Sequence, residues 1–208
     1  MAHRADVYVS ADVEADGPIP GIYSMLSFGL ALAGTFDGTT FTRHDPETAT
    51  FYRDLRPTTD LCEPDYVAAS HLDRDRLVAE GTDPASAMTE AAGWVNELAG
   101  ERRPVLVAWP LAFDWPFLCW YFERFSTIPS PFGFDSCLDM KTMYQQKAQV
   151  VMDLVAKRRM PPHVLPARRH THHALGDALE QADLFANLFT WRGEPGPVRG
   201  KRDRARVF

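Results

Sequence analysis

Three carboxylates close the stretch VYVSADVEADG at residues 7–17: Asp12, Glu14 and Asp16. Alternate side chains of an extended strand share a face, so Asp12 and Glu14 point the same way, roughly 7 Å apart, while Val7, Val9, Ala11 and Val13 form the opposite face. Two carboxylates that close repel and raise each other's pKa. A hard divalent cation such as Mg²⁺ or Mn²⁺ removes the conflict, because carboxylate oxygens are its preferred ligands. On its own, Asp-x-Glu is short and common and reads first as an acidic strand end meeting water. Two further acids stand at suggestive places: Asp114 follows the apolar run PVLVAW (104–109), and Asp177 lies one turn into an otherwise apolar helical pattern. Taken singly, Asp114 also reads as a helix cap and Asp177 as a solvent-facing residue. Asp16 reads as a turn stabiliser. His172 and His173 precede the last helical pattern, and a neutral imidazole can accept a proton near pH 7.

The elements that must carry these groups are legible from periodicity. Residues 7–14 and 24–34 alternate like strands and are separated by the turn GPIPG, and a third alternating segment at 40–45 follows Asp37-Gly38. They predict an antiparallel meander. PVLVAW, bounded by Pro104 and Pro110, predicts a central strand buried on both faces. Asp83, Pro84 and Gly100 frame a helix whose apolar positions recur at helical spacing. Further helices are expected from about Pro116, over 139–159, and from Ala174 onward, with a basic loop at 160–170. Strands first, then helices around a central strand, indicate an α/β domain built on a mixed sheet.

Composition limits the function classes. With 208 residues, 45% hydrophobic and 24% charged, the chain suits one globular domain with its own core. No apolar run approaches the length of a membrane helix, which predicts a soluble, cytoplasmic protein with no membrane partner. Cys62, Cys119 and Cys137 form no C-x-x-C pair and read as reduced packing residues. The net charge of −6 is unevenly spread, since residues 191–208 carry six Lys/Arg against two acids, a local +4 that leaves −10 on the rest. The expected organisation is a domain over 1–191 and a basic, flexible tail over 192–208. A second basic cluster, KRR at 157–159 and ARRHTHH at 167–173, reads either as a solvated loop or as a phosphate-binding surface.

Taken together and in order, DVE on the first strand, AFDWPFL after a later strand and HHALGDA opening the last helix resemble the three motifs of the DEDDh 3′–5′ exonuclease superfamily. The resemblance runs from about residue 7 to 190 and takes in 51–77 as the intermotif segment. It implies a ribonuclease H-like mixed β-sheet flanked by helices. It also implies a metal-dependent 3′–5′ exonuclease that hydrolyses phosphodiester bonds of single-stranded DNA or RNA from the 3′ end and releases 5′-mononucleotides. By resemblance, Asp12, Glu14 and Asp177 hold one of two Mg²⁺ or Mn²⁺ ions, Asp12 bridges to the second, and Asp114 supports it. His172, five residues before Asp177, matches the family's general base, whereas His173 stands where a sister subfamily places a tyrosine. Arg168 and Arg169 are the expected strand-binding cations. Phe113, Trp115 and Trp109 are stacking candidates, although an aromatic beside a central strand is more often core. Several members of the superfamily are homodimers, so a homodimer is left open. Trp109-Pro110 and Ala15-Asp16 depart from the family's usual residues without removing a ligand, and they bear on substrate preference. The rival reading is a catalytically silent nucleic-acid-binding or protein-interaction module on the same fold.

Overall fold

The structure, a computed structural model, describes residues 4–193. The expected tail therefore lies outside the described residues, apart from Arg192 and Gly193. The sheet is mixed, in the order β3-β2-β1-β5-β6. Strand β1 (Asp6–Ala15) runs antiparallel to β2 (Met25–Phe36) along its whole length and parallel to β5 (Arg103–Ala108) from Asp6 to Ser10. The third meander strand is shorter than its alternation suggested. Strand β3 (Phe41–Thr42) pairs only two residues of β2, and β4 (Thr50–Asp54) covers Ser27–Ala31 of the same edge. The long β2 thus needs two partners to satisfy its backbone groups. The short β6 (Cys137–Asp139) closes the other side against β5.

Helices cover both faces. Helix α1 (Pro64–Ser70) lies within the intermotif segment, and α2 (Arg74–Glu80) begins in it and runs three residues beyond. Helix α3 (Pro84–Ala99) begins as predicted, with the Asp83 carboxylate accepting from the amides of Ala85 and Ser86, and ends at Gly100 with φ 57°. With α4 (Leu111–Phe125) it packs Met88, Val95, Phe117 and Leu118 on the Val9–Ala11–Val13 face of β1. Helices α5 (Met140–Ala148) and α6 (Ala174–Thr190) pack Tyr144, Leu184 and Phe185 on the face that carries Tyr8. Lys147 reaches the carbonyls of Leu188, Phe189 and Trp191, which satisfies the C-terminal end of α6. Among the described residues no helix is long and apolar enough to cross a membrane.

Three expectations are corrected. Helix α4 starts at Leu111 rather than Pro116, because the Asp139 carboxylate caps it from outside by accepting from Leu111 N at 2.9 Å. Pro116 then stands within the helix, and Ala112, whose carbonyl loses its amide partner there, is exposed. Helix α5 stops at Ala148 rather than at 159, with Gln149 in the left-handed region at φ 53° and the β-branched pair Val150-Val151 beyond it. Two 3₁₀ turns follow, Met152–Leu154 and Lys157–Arg159. Finally, Cys62 is exposed and packs nothing, while Cys119 and Cys137 are half-buried, and all three are free thiols.

Candidate active site

The parallel pairing of β1 with β5 ends at Ser10, so the next amides on that edge need other partners. Helix α4 provides one: Asp114, in its first turn, accepts from Val13 N at 3.0 Å, between Asp12 and Glu14. Asp114 is thereby fixed beside the strand end by the backbone of the strand itself. It is buried, as is Asp12, while Glu14 is partly exposed.

Asp177 reaches the same place from the opposite layer. Gly29 is paired directly across from Asp12 on β2, and a Cβ there would stand 2.5 Å from Leu175 Cα and 2.6 Å from the Ala174 carbonyl. Its lack of a side chain lets the start of α6 lie on the sheet, which brings Asp177, fully buried, over Asp12 and Glu14. One carboxylate oxygen from each of Asp12, Glu14 and Asp177 lies within 4.8 Å of the others. The segment before α6 wraps around Asp177: Thr171 N donates to Oδ1 at 2.6 Å and His172 N to Oδ2 at 2.8 Å. His172, with φ 55°, holds its ring 5.6 Å from that of His71 and 4.5 Å from that of His170. His173 is used differently. It is the N-cap of α6, its Nδ1 accepting from Gly176 N, and its ring stacks on Tyr52 at 4.8 Å.

The electrostatics show what such a site lacks. Burial, then the charges of Asp114, Glu14 and Asp177, hold the Asp12 carboxyl well above the ordinary range, against a lowering influence from Lys157. Burial, then Asp177, pushes Glu14 up to about 7. Burial pushes Asp114 up to about 8, opposed by the hydrogen bond from Val13 and reinforced by Glu14 and Asp139. Among the described residues no Lys or Arg pairs with Asp12, Glu14, Asp114 or Asp177, the influence of Lys157 leaves Asp12 still raised, and the donors of the cluster are all carboxylate oxygens. That set fits hard divalent cations and suits no soft metal.

Several residues of the site carry no motif. Gln181, buried and one turn beyond Asp177, donates from Nε2 to Asp12 Oδ1 at 2.6 Å while its Oε1 accepts from Trp109 N at 2.6 Å. It ties Asp12 to the end of β5 and fixes the carboxylate's rotation. Glu180, also buried, pairs with Lys157, so Asp177, Glu180 and Gln181 form a polar stripe on a helix face that is otherwise core. A polar i, i+3, i+4 set inside an apolar stripe is a signal sequence could have offered. Asp16 stays out of the cluster, wholly buried between Arg74 Nε at 2.9 Å and Ser24 N at 2.5 Å.

The expected substrate contacts divide. Arg168 is committed to Glu47 at 2.7 Å and Asp183 at 3.0 Å, with Asp45 at 4.0 Å, so it is not a free cation. Arg169 is exposed and makes no ion pair among the described residues. Phe113 is half-buried and stacks toward the exposed Tyr66, with ring centroids 6.5 Å apart. Trp115, on α4, is partly buried against the core.

No family model matches the chain. It is 33% identical over 186 residues to the 3′–5′ DNA exonuclease Cap18 of Escherichia coli, which covers 89% of this chain and 92% of that protein. Among solved structures, the nuclease domain of 3′hExo, a DEDDh family member bound to rAMP, superposes with a TM-score of 0.65 at 14% identity over 88% of this chain and 92% of that one. E. coli exonuclease I in complex with a dT13 oligonucleotide gives 0.60 at 14% identity over 90% of this chain, which spans 41% of the exonuclease I chain. The structural matches share the fold, and the Cap18 match sets the family: the chain belongs to the DEDDh 3′–5′ exonuclease superfamily.

Proposed function

We propose that the protein removes nucleotides from the 3′ end of single-stranded DNA, using two Mg²⁺ or Mn²⁺ ions held by Asp12, Glu14, Asp114 and Asp177. The observation that carries this reading is the convergence of three carboxylates from β1 and α6 within 4.8 Å, with the fourth hydrogen-bonded to the backbone between two of them. Divalent ions bound there would neutralise the acids, polarise the scissile phosphate and lower the pKa of a water. The chain's own groups supply the rest. Gln181 and Val13 N orient Asp12 and Asp114 before substrate arrives. His172, on the rim beside Asp177, takes the proton of the attacking water. Arg169, with the exposed Arg158 and Arg159, offers cations that make no ion pair among the described residues to the backbone of the strand. The Tyr66–Phe113 ring pair offers an apolar face to the terminal base. DNA is favoured over RNA by the likeness to Cap18, named as a DNA exonuclease.

The test uses 5′-labelled single-stranded DNA and RNA with the purified full chain, Mg²⁺, Mn²⁺ or EDTA, beside Asp12→Ala, His172→Ala and His173→Ala. The DNA should shorten stepwise from its 3′ end and release 5′-mononucleotides. EDTA, Asp12→Ala and His172→Ala should abolish the ladder. His173→Ala should keep most of it and lose about 1 kcal/mol of stability through its lost cap. Intact substrates with both metals would leave a binding module as the better account.

A further inference from the structure

Beside the four carboxylates stands a second, chemically different donor set. His170 Nδ1 lies 3.1 Å from Asp177 Oδ2, and one donor atom from each of His170, His172 and Asp177 falls within 4.8 Å of the others. The set is held in place by the backbone. Thr171 and His172 both donate their amides to Asp177, and the Thr171 hydroxyl adds a third bond at 3.1 Å, so the loop between the two histidines is wrapped around the carboxylate they face. The His170 and His172 rings meet edge to face, and His71 approaches His172 from another segment. Lys157, whose charge acts on His170, is itself paired with buried Glu180.

We propose that His170, His172 and Asp177 form an inhibitory site for a borderline transition-metal ion of the Zn²⁺ class, distinct in chemistry from the carboxylate site that takes Mg²⁺ or Mn²⁺. Two imidazoles and one carboxylate with a position left open are a common zinc donor set, and imidazole draws Zn²⁺ far more strongly than it draws Mg²⁺. Zn²⁺ also exceeds Mn²⁺ in its general affinity for nitrogen and oxygen sites. An ion there takes the ring nitrogen that His172 needs as a base and one oxygen of Asp177, which the carboxylate site also uses. The inhibitory consequence rests on the reading of His172 and Asp177 given under the proposed function, whereas the binding does not.

Co²⁺ serves as a spectroscopic stand-in for Zn²⁺. Titrating the metal-free full chain with Co²⁺ should develop a visible absorption band of nitrogen-ligated cobalt, which Zn²⁺ displaces. His170→Gln should lose that band while keeping the wild-type circular dichroism spectrum, and Asp12→Asn should keep it. In the nuclease assay with Mg²⁺, His170→Gln should need at least about tenfold more Zn²⁺ for half-inhibition, since each lost ligand costs on the order of 10-fold or more in metal affinity. A band that survives in His170→Gln and vanishes in Asp12→Asn would put the ion on the carboxylates and overturn the proposal. So would equal Zn²⁺ sensitivity of wild type and His170→Gln. Loss of the band in His170→Gln, in a protein without nuclease activity on any substrate, would uphold the metal site and reject the exonuclease reading instead.

Discussion

Asp12 and Asp16 lie four residues apart on one stretch of chain, and both are buried, yet their surroundings are opposite. Asp16 has both oxygens occupied, by the Arg74 guanidinium and by Ser24 N, and its own backbone is bound to Ser24 and Glu63. Among the described residues the Asp12 side chain accepts from one uncharged donor, Gln181, and faces three other carboxylates, with only a partial offset from Lys157. The first arrangement closes the turn after β1 and ties it to α2. The second holds acids that repel once ionised, a conflict that bound protons or an arriving cation relieves. Burial of an acid thus says little until its partners are counted.

Substitution of each to asparagine breaks the comparison most directly. Asp12→Asn removes a charge from a repelling group and, on the proposed function, a metal ligand. Activity should fall by about 10³-fold or more, the several kcal/mol a metal supplies, while the melting temperature in EDTA holds or rises. Asp16→Asn strands Arg74 without its buried partner, at a cost of about 3–5 kcal/mol, or roughly 10 °C in a domain of this size. Its activity should persist below the lowered melting point. Thermal unfolding and the ladder assay on both variants decide it, and equal losses of melting temperature would erase the distinction.

The acid cluster should also reveal itself through pH. In metal-free protein Glu14 stands at about 7 and Asp114 at about 8, both above the roughly 4 of an unfolded carboxyl, and Asp12 is raised as well. The folded state therefore holds these protons more tightly than the unfolded chain. Their stabilising share is complete below about pH 4 and is lost as pH rises through about 7 and 8. Glu14 is partly exposed, so its share is the smaller one. The gap in melting temperature between saturating Mg²⁺ and EDTA should widen from pH 5 to pH 9. Parallel curves over that range would mean that the carboxylates are relieved by something other than a metal.

Much of this contrast was legible before the fold. Period-two alternation set Asp12 and Glu14 on one face, and the face exists as read, with Val9, Ala11 and Val13 in the opposite core. The histidine five residues before Asp177 stands on the rim, and its neighbour His173 is taken up by capping and stacking. What could not be read depended on partners far away in sequence. Leu111 starts a helix because Asp139 caps it from 28 residues on, and β4 exists because the long edge of β2 needs a second partner. Gly29 reads as one more small residue in a strand until α6 is laid across it. Arg168 reads as a free cation until Glu47 and Asp183 are found around it.

Gln181 is the sharpest case, since its meaning lies 169 residues away at Asp12. A buried amide that bridges a strand-end backbone and the carboxylate proposed to bind metal would act on the chemistry only by fixing that carboxylate, which makes it a positioning residue. Gln181→Met keeps the shape and removes both hydrogen bonds. Trp109 N is then left without its acceptor, which costs about 1–3 kcal/mol of stability, and Asp12 is free to rotate. Activity at saturating DNA should fall 10- to 100-fold, with a matching weakening of Mn²⁺ binding by calorimetry and little change in KM, because the amide is buried against Asp12 and Trp109 rather than open to the surface. Gln181→Glu separates the two bonds. It retains an acceptor for Trp109 N but turns an anion toward Asp12, so stability near pH 5 should recover while the pH dependence of the metal-free protein steepens. If both variants bind Mn²⁺ as the wild type does, Gln181 only braces α6 against the sheet, and Asp12 is held by the strand alone.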